Sequence, residues 1–313
     1  MPSQSATASV FDVIIIGSGA AGYTAAIYST RAGRKTLLLA GSVPGGQLML
    51  TSEVENFPGF AEAIMGPDLM ERMRKQAQRF GPEIVYDDVT KADFSSRPFT
   101  VSAGKHRHTG KTVIIATGAN AKWLGLESET KFRGKGVSSC ATCDGFFFKS
   151  KDVAVVGGGD TAMEEANFLA NITNKVIVIH RRDELRASKI MQERAFKNPK
   201  IGFVWDSAVQ EVLGDKKITG VRVKNLKTGK SNNLNVEGVF VAIGYKPNTS
   251  VFKGQIQLDA RDYIVTRNDT ETNVPGVFAA GDVKDSKYRQ AVTAAADGCK
   301  AAMDADRFIS EHG

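Results

Sequence analysis

A short apolar strand, a glycine-rich turn and the start of a helix occur twice in this chain, as DVIIIGSGAAG at 12–22 and DVAVVGGGDTA at 152–162. Each is followed at nearly the same offset by a second apolar strand, KTLLLAG at 35–41 and KVIVIHRR at 175–182, which completes two βαβ units. Later strands ending in a small turn, TVIIATG at 112–118 and VFVAIGYKPN at 239–248, extend the correspondence. This duplication predicts an α/β chain with two Rossmann-like dinucleotide-binding domains.

The spacing of the glycines has a mechanical reading. Gly17 and Gly157 make the tight turn; Gly19 and Gly159 let backbone approach a pyrophosphate; Gly22 and Ala162 let the helix pack closely on its strand. The helix start then presents N–H groups and a positive dipole end to phosphate. The second strands separate the two ligands. An acid there would hold a ribose 2′-hydroxyl, but the second unit ends in His180, Arg181 and Arg182, with Arg186 four residues on. Guanidinium forks favour a 2′-phosphate, so this unit is expected to take NADPH rather than NADH. The first unit ends in Ala40 and Gly41 with no acid, which leaves its ribose contact unassigned.

Between the units lies CATCDGFFF at 140–148. Alone, such a pair of cysteines could form a small disulfide, share a metal or fill a core. Three cysteines and four scattered histidines in 313 residues do not spell a zinc site of paired CxxC units, which favours redox use. The third, Cys299, sits among alanines at helical spacing and is expected to be buried. Residues 66–80 form an amphipathic helix with its methionines in the core, and His106 and His108 are expected to be exposed. The net charge of +7 suits anionic partners, but no aromatic-basic stripe suggests a nucleic-acid groove. No apolar run reaches the ~20 residues that span a bilayer. The opening MPSQSATASV lacks the basic and apolar parts of a secretory signal, so it is expected to be a disordered tail on a cytoplasmic chain.

With GSGAAG, GGQL (45–48), ATG (116–118), CATCDGFF, GGGDTA, HRRDELRA (180–187), AIGYKPN and FAAGDV in this order, nearly the whole chain resembles the low-molecular-weight, bacterial-type NADPH-dependent thioredoxin reductases. That resemblance implies an FAD domain in two parts, 1–121 and 249–313, with the NADPH domain, 122–248, inserted between them. It implies a homodimer. It maps FAD contacts to Gly17, Ser18, Gly19, Ala20, Ala21 and Gly22, to Gly46, Gln47, Leu48 and Asn56, and to Thr117 and Gly118. From the C-terminal segment it adds Gly281, Asp282, Arg289, Gln290 and Ala291, with Asp282 on the ribityl chain. NADPH contacts map to Gly157, Gly159, Asp160, Thr161, Ala162, His180, Arg181, Arg182 and Arg186.

Cys140 and Cys143 map to the family's redox pair, with Cys143 on the flavin side, Cys140 attacking the thioredoxin disulfide and Asp144 moving the proton. The implied activity carries electrons from NADPH through FAD and this pair to thioredoxin. Because the nicotinamide site and the cysteines share one domain, the NADPH domain is expected to rotate about hinges near 119–123 and 244–249. Phe146 and Phe147 are expected either to meet the partner or to pack the loop, and Lys135 stands where the family often has an arginine for the same partner.

Overall fold

The computed structural model describes residues 10–51 and 53–313, so nearly all of the polar tail expected at the N-terminus lies outside the described residues. The chain divides into two compact units, one of Met1–Asn120 with Lys246–Gly313 and one of Ala121–Tyr245. The segments in which the chain passes from one to the other, Ala119–Ala121 and Tyr245–Pro247, pair as two short strands.

The two-part unit is built on a seven-stranded sheet. Its order runs Glu83–Val85, Thr36–Leu39, Phe11–Ile16, His106–Ile115, Phe99–Ala103, Val89–Asp93, with Val277–Ala279 also paired to His106–Ile115. The strands nearest the glycine turn are parallel and continuous apolar runs, as strands covered on both faces must be. Val13, Ile14 and Ile15 are wholly buried. The ten-residue strand His106–Ile115 serves two neighbours on one side: residues 106–110 pair antiparallel with Phe99–Ala103, and Val113–Ile115 pair parallel with Val277–Ala279.

On one face the helix Ala20–Arg31 packs against the long closing helix Ala291–His312. Their approach is close because Gly298 faces Ala21: a Cβ on Gly298 would collide with the Ala21 carbonyl. The helix Gly66–Arg79 buries Leu69, Met70 and Met73, as its pattern predicts. Cys299 departs from expectation. It lies half-exposed on the outer side of the closing helix, its sulfur 3.9 Å from that of Met303, because the buried positions of that helix fall instead on Asp297, Gly298, Ala301, Ala302, Ala305 and Ile309. His106 is exposed, but His108 is half-buried, near Phe11, and burial holds its imidazole below the usual value.

The continuous unit has a five-stranded parallel sheet ordered Val137–Ser138, Gly238–Val241, Asp152–Val156, Lys175–Ile179, Ile201–Val204. The same unit carries a three-stranded antiparallel sheet, Ser207–Gly214, Ile218–Asn225 and Ser231–Leu234. No described helix is long and apolar enough to cross a membrane.

Candidate active site

The duplication read from sequence is repeated bond for bond in the backbone. In the first unit Gly17 N–H donates to Leu39 O at 2.9 Å and Ala116 N–H to Ile16 O at 2.8 Å. In the second, Gly157 N–H donates to Ile179 O at 3.1 Å and Ala242 N–H to Val156 O at 2.9 Å. Both turns thus sit at the C-terminal ends of central parallel strands, where neighbouring strands part and leave a crevice for a ligand.

The glycines divide by what surrounds them. Gly17 has φ +108° and its missing Cβ would strike the Ala116 carbonyl; a Cβ on Gly22 would strike the Gly17 carbonyl. These are packing glycines. Around Gly19 and Gly159 nothing lies within 4 Å of a built Cβ. Each of the two is the extended residue just before its helix, with no side chain capping the helix N–H groups. Two uncapped helix starts, each behind a glycine that faces open space, fit the pyrophosphates of two dinucleotides.

Several of the other residues expected at the first site touch its turn or one another. Gly46, in the short helical turn Gly46–Leu50, lies against Gly19, a built Cβ on it standing 3.4 Å from Gly19 Cα. Ser18 Oγ donates to Ala40 O at 2.7 Å and accepts the Gly45 N–H at 3.1 Å, so it ties the glycine turn to the loop that carries Gly46, Gln47 and Leu48. Gln47 Nε2 donates to Asn120 Oδ1 at 2.8 Å, and Asn56 reaches Gln290 Oε1 at 3.4 Å. Gln290 also caps the closing helix, which begins at Ala291, through a reciprocal bond with Thr293. Thr117 and Gly118 are clasped by the last residue of the AIGYKPN stretch, which was not among the expected site residues. Asn248 donates its N–H to Gly118 O (3.0 Å) and Nδ2 to Thr117 O (2.9 Å), while its carbonyl accepts Thr117 Oγ1 at 2.8 Å.

Gly281 and Asp282 follow the strand Val277–Ala279 and bring a carboxyl into this ring. Burial, aided by Asp285 and Asp297 and opposed by Arg289, pushes the Asp282 carboxyl up to about 7. A carboxyl held that high is badly solvated, and the hydroxyls of a ribityl chain are donors that would relieve it.

In the second unit, the helix Asp160–Ala170 starts with Asp160, Thr161 and Ala162. The loop HRRDELRA is stitched onto the glycine turn: Arg186 N–H donates to Gly158 O at 2.7 Å, Ala187 N–H to the same oxygen at 3.2 Å, and Ser188 N–H to Asp160 Oδ1 at 2.7 Å. The middle glycine is needed because the His180 ring lies where a Gly158 Cβ would be. His180 is buried, edge-on to Trp205 at 6.4 Å, and its Nε2 has no hydrogen-bond partner. Burial, opposed by a backbone hydrogen bond at Glu184 and joined by Arg186, Arg181 and Arg182, lowers its pKa and favours the neutral ring. The three arginines are exposed. Asp183, a nearby acid that could have occupied them, is instead paired to Lys227 at 2.7 Å.

The same unit carries the cysteines. Cys140 and Cys143 form a disulfide across the short helix Ala141–Asp144, with Cα atoms 5.3 Å apart. Both are half-buried. Ser138, also missed by sequence reasoning, accepts the Cys140 N–H at 3.0 Å and hydrogen-bonds the Asp144 carboxyl. Burial raises the Asp144 pKa and Ser138 only partly offsets this, so the group next to Cys143 holds a proton more readily than an ordinary aspartate. Tyr245 donates its hydroxyl to Ser139 O at 2.6 Å and steadies the approach to the pair. Phe148 is buried and Phe147 packs partly against the core, whereas Phe146 stands 60% exposed beside the disulfide and the exposed Lys135 precedes it.

Comparison with known proteins adds independent evidence. The model of the pyridine nucleotide-disulphide oxidoreductases matches residues 11–298. A thioredoxin reductase of Streptomyces coelicolor is 57% identical over 96% of this chain and 94% of its own length. One of Rickettsia conorii is 55% identical over 96% and 98%. Among solved structures, a thioredoxin reductase from Giardia duodenalis superposes with a TM-score of 0.93 at 45% identity, covering 96% of this chain and 99% of the other. With two dinucleotide turns, a disulfide in the same unit as the second of them and likeness along almost its full length, the chain belongs to the pyridine nucleotide-disulphide oxidoreductase family.

Proposed function

We propose that this protein is an NADPH-dependent thioredoxin-disulfide reductase, with FAD on the two-part unit and NADPH on the continuous one. The observation that carries the reading is the Cys140–Cys143 disulfide held beside a buried, proton-retaining Asp144, in the same unit as a glycine turn faced by exposed arginines. FAD and NADPH, when bound, supply the two electrons that open this disulfide.

Gly17 to Gly22 and Gly46 form the FAD pyrophosphate cradle, and Asp282 holds the ribityl hydroxyls. Gly157, Gly159 and Thr161 form the second cradle, with Arg181, Arg182 and Arg186 on the 2′-phosphate. Once the pair is reduced, the Cys140 thiolate attacks one sulfur of the partner's disulfide and the other partner sulfur leaves. Cys143 then attacks Cys140 Sγ, which re-forms the 140–143 disulfide and releases the partner as a dithiol. Asp144 gives a proton to the sulfur that leaves and takes one from the sulfur that attacks.

The exposed Phe146, with Lys135, supports a docking surface for thioredoxin. The nicotinamide cradle and the cysteines share one unit, and both must use a single flavin, which supports rotation of that unit between half-reactions. Homodimer formation is supported by an apolar stripe on the outer face of the two packed helices, with Val292 40%, Met303 55% and Tyr28 42% exposed. A cytoplasmic location suits a disulfide that must be repeatedly reduced.

Steady-state NADPH oxidation with a panel of disulfide proteins tests the whole reading. Turnover with thioredoxin and a disulfide reporter is expected, with NADPH strongly preferred over NADH. Flavin bleached by NADPH that thioredoxin fails to restore would overturn it in favour of a dinucleotide-sensing role.

A further inference from the structure

Behind the turn that carries Asp282 lies the most enclosed ion pair among the described residues. Lys284 Nζ stands 3.0 Å from Asp297 Oδ2, and each side chain is only 12% exposed. The same Oδ2 accepts the Gly281 N–H at 3.2 Å. Gly281 has φ +75° and is wedged between helices, a built Cβ standing 3.0 Å from Ala21 Cβ and 3.4 Å from Ala294 Cβ. One carboxylate on the closing helix therefore fixes the amide immediately before Asp282, and a lysine two residues after Asp282 neutralises that carboxylate.

We infer that Lys284 and Asp297 are a positioning pair: together they hold the Gly281–Asp282 turn in place for FAD and set the charge that Asp282 presents to the ribityl chain. The inference rests on the reading of this turn as part of the FAD site. Its physical basis is that a buried charge whose partner is removed acts at full strength on its neighbours. The charged and titratable groups around Asp282 are Asp285 and Arg289 from its own loop, Tyr263, and Asp297 from the closing helix, with Lys284 acting through Asp297. The helix Ala20–Arg31 contributes Ala21, which carries no charge.

Asp282 accepts from a hydroxyl best as a carboxylate, so FAD should be held more tightly as pH rises through the Asp282 titration. Removing Lys284 leaves Asp297 facing only Lys300 of its own helix, so uncompensated negative charge rises and that titration moves up. Stripping Lys284 of its aspartate adds bare positive charge and moves it down. A pair that only braced the turn would loosen it either way and could not give shifts of opposite sign.

The test is release of FAD from the purified full-length holoprotein, followed by flavin fluorescence after dilution over about pH 5 to 9. Lys284→Met keeps the apolar stem, and Asp297→Asn keeps an acceptor for Gly281. The midpoint of the release profile is expected to move up by about 1 pH unit in Lys284→Met and down by about as much in Asp297→Asn. It should stay in place in Lys284→Arg and return in the double variant Lys284→Met/Asp297→Asn. Should Lys284→Met not yield folded holoprotein, Asp297→Asn against the double variant still gives the sign.

Asp282→Asn separates the two layers of the argument. An unchanged release profile in that variant overturns the reading of this turn as a flavin contact. A profile flattened by Asp282→Asn, together with shifts of the same sign or no shift in the two single variants, overturns the positioning pair alone.

Discussion

Cys143 and Asp144 are neighbours in the chain with separable duties, and changing each alone should reveal them. In Cys143→Ser, NADPH should still bleach the flavin, because both dinucleotide turns are untouched, while thioredoxin reduction should fall by at least ~10³-fold; flavin absorbance and a disulfide reporter read the two halves apart. In Asp144→Asn, thioredoxin turnover should fall by about 10²- to 10⁴-fold without loss of FAD. Burial holds the Asp144 pKa above that of an ordinary aspartate, so the wild-type rate should lose its proton-donating limb only as pH rises through that raised value, and the asparagine variant should lose the limb altogether. A pH profile of kcat checks this. The linked stability has the same sign: a carboxyl with a raised folded-state pKa stabilises the fold below its unfolded value and loses that contribution as pH climbs. Ser138 could not be foreseen in this role. A serine two residues before a cysteine is common, and only the fold shows its hydroxyl serving both the Cys140 amide and the Asp144 carboxyl.

The glycine turns behave as elements in which each position has its own constraint. Gly19→Ala should fold, since its new methyl meets no protein atom, yet it should weaken FAD retention; Gly22→Ala should destabilise the unit itself, because its methyl meets the Gly17 carbonyl. Thermal melting beside FAD content distinguishes a blocked cradle from a broken turn. In the second unit, Arg181→Gln with Arg182→Gln should raise KM for NADPH by about 10- to 100-fold and leave that for NADH nearly unchanged. Much at this scale was legible beforehand. A strand, a glycine turn and a helix follow from local sequence, and twice over they predict the parallel sheets and the two cradles. What could not be read were contacts between distant segments. Asn248 closes on Thr117 and Gly118 from 131 residues away, and the outward placement of Cys299 depends on which face of an alanine-rich helix meets the helix Ala20–Arg31.

For the molecule as a whole, the proposed alternation of one flavin between nicotinamide and disulfide requires the continuous unit to turn on its two connections. A covalent cross-link that fixes it to the two-part unit should stop turnover of thioredoxin while leaving the bound FAD spectrum intact; unchanged turnover by the cross-linked protein would refute the rotation. The apolar stripe of Tyr28, Val292 and Met303 carries a second expectation. If the stripe holds the proposed homodimer, Met303→Lys should shift the protein toward monomer in sedimentation velocity, since a charge within an apolar interface is strongly disfavoured.

The double use of the strand His106–Ile115 bears on how the protein is made. Val113, Ile114 and Ile115 are entirely buried and pair along one edge with Val277–Ala279, and that strand leaves the ribosome after the whole continuous unit has emerged. The continuous unit can therefore fold during synthesis, whereas the two-part unit waits with an open, apolar strand edge until the last segment arrives. A nascent chain of this protein is most exposed to mispairing near the end of its translation, and chaperone demand should rise when translation stalls just short of Val277.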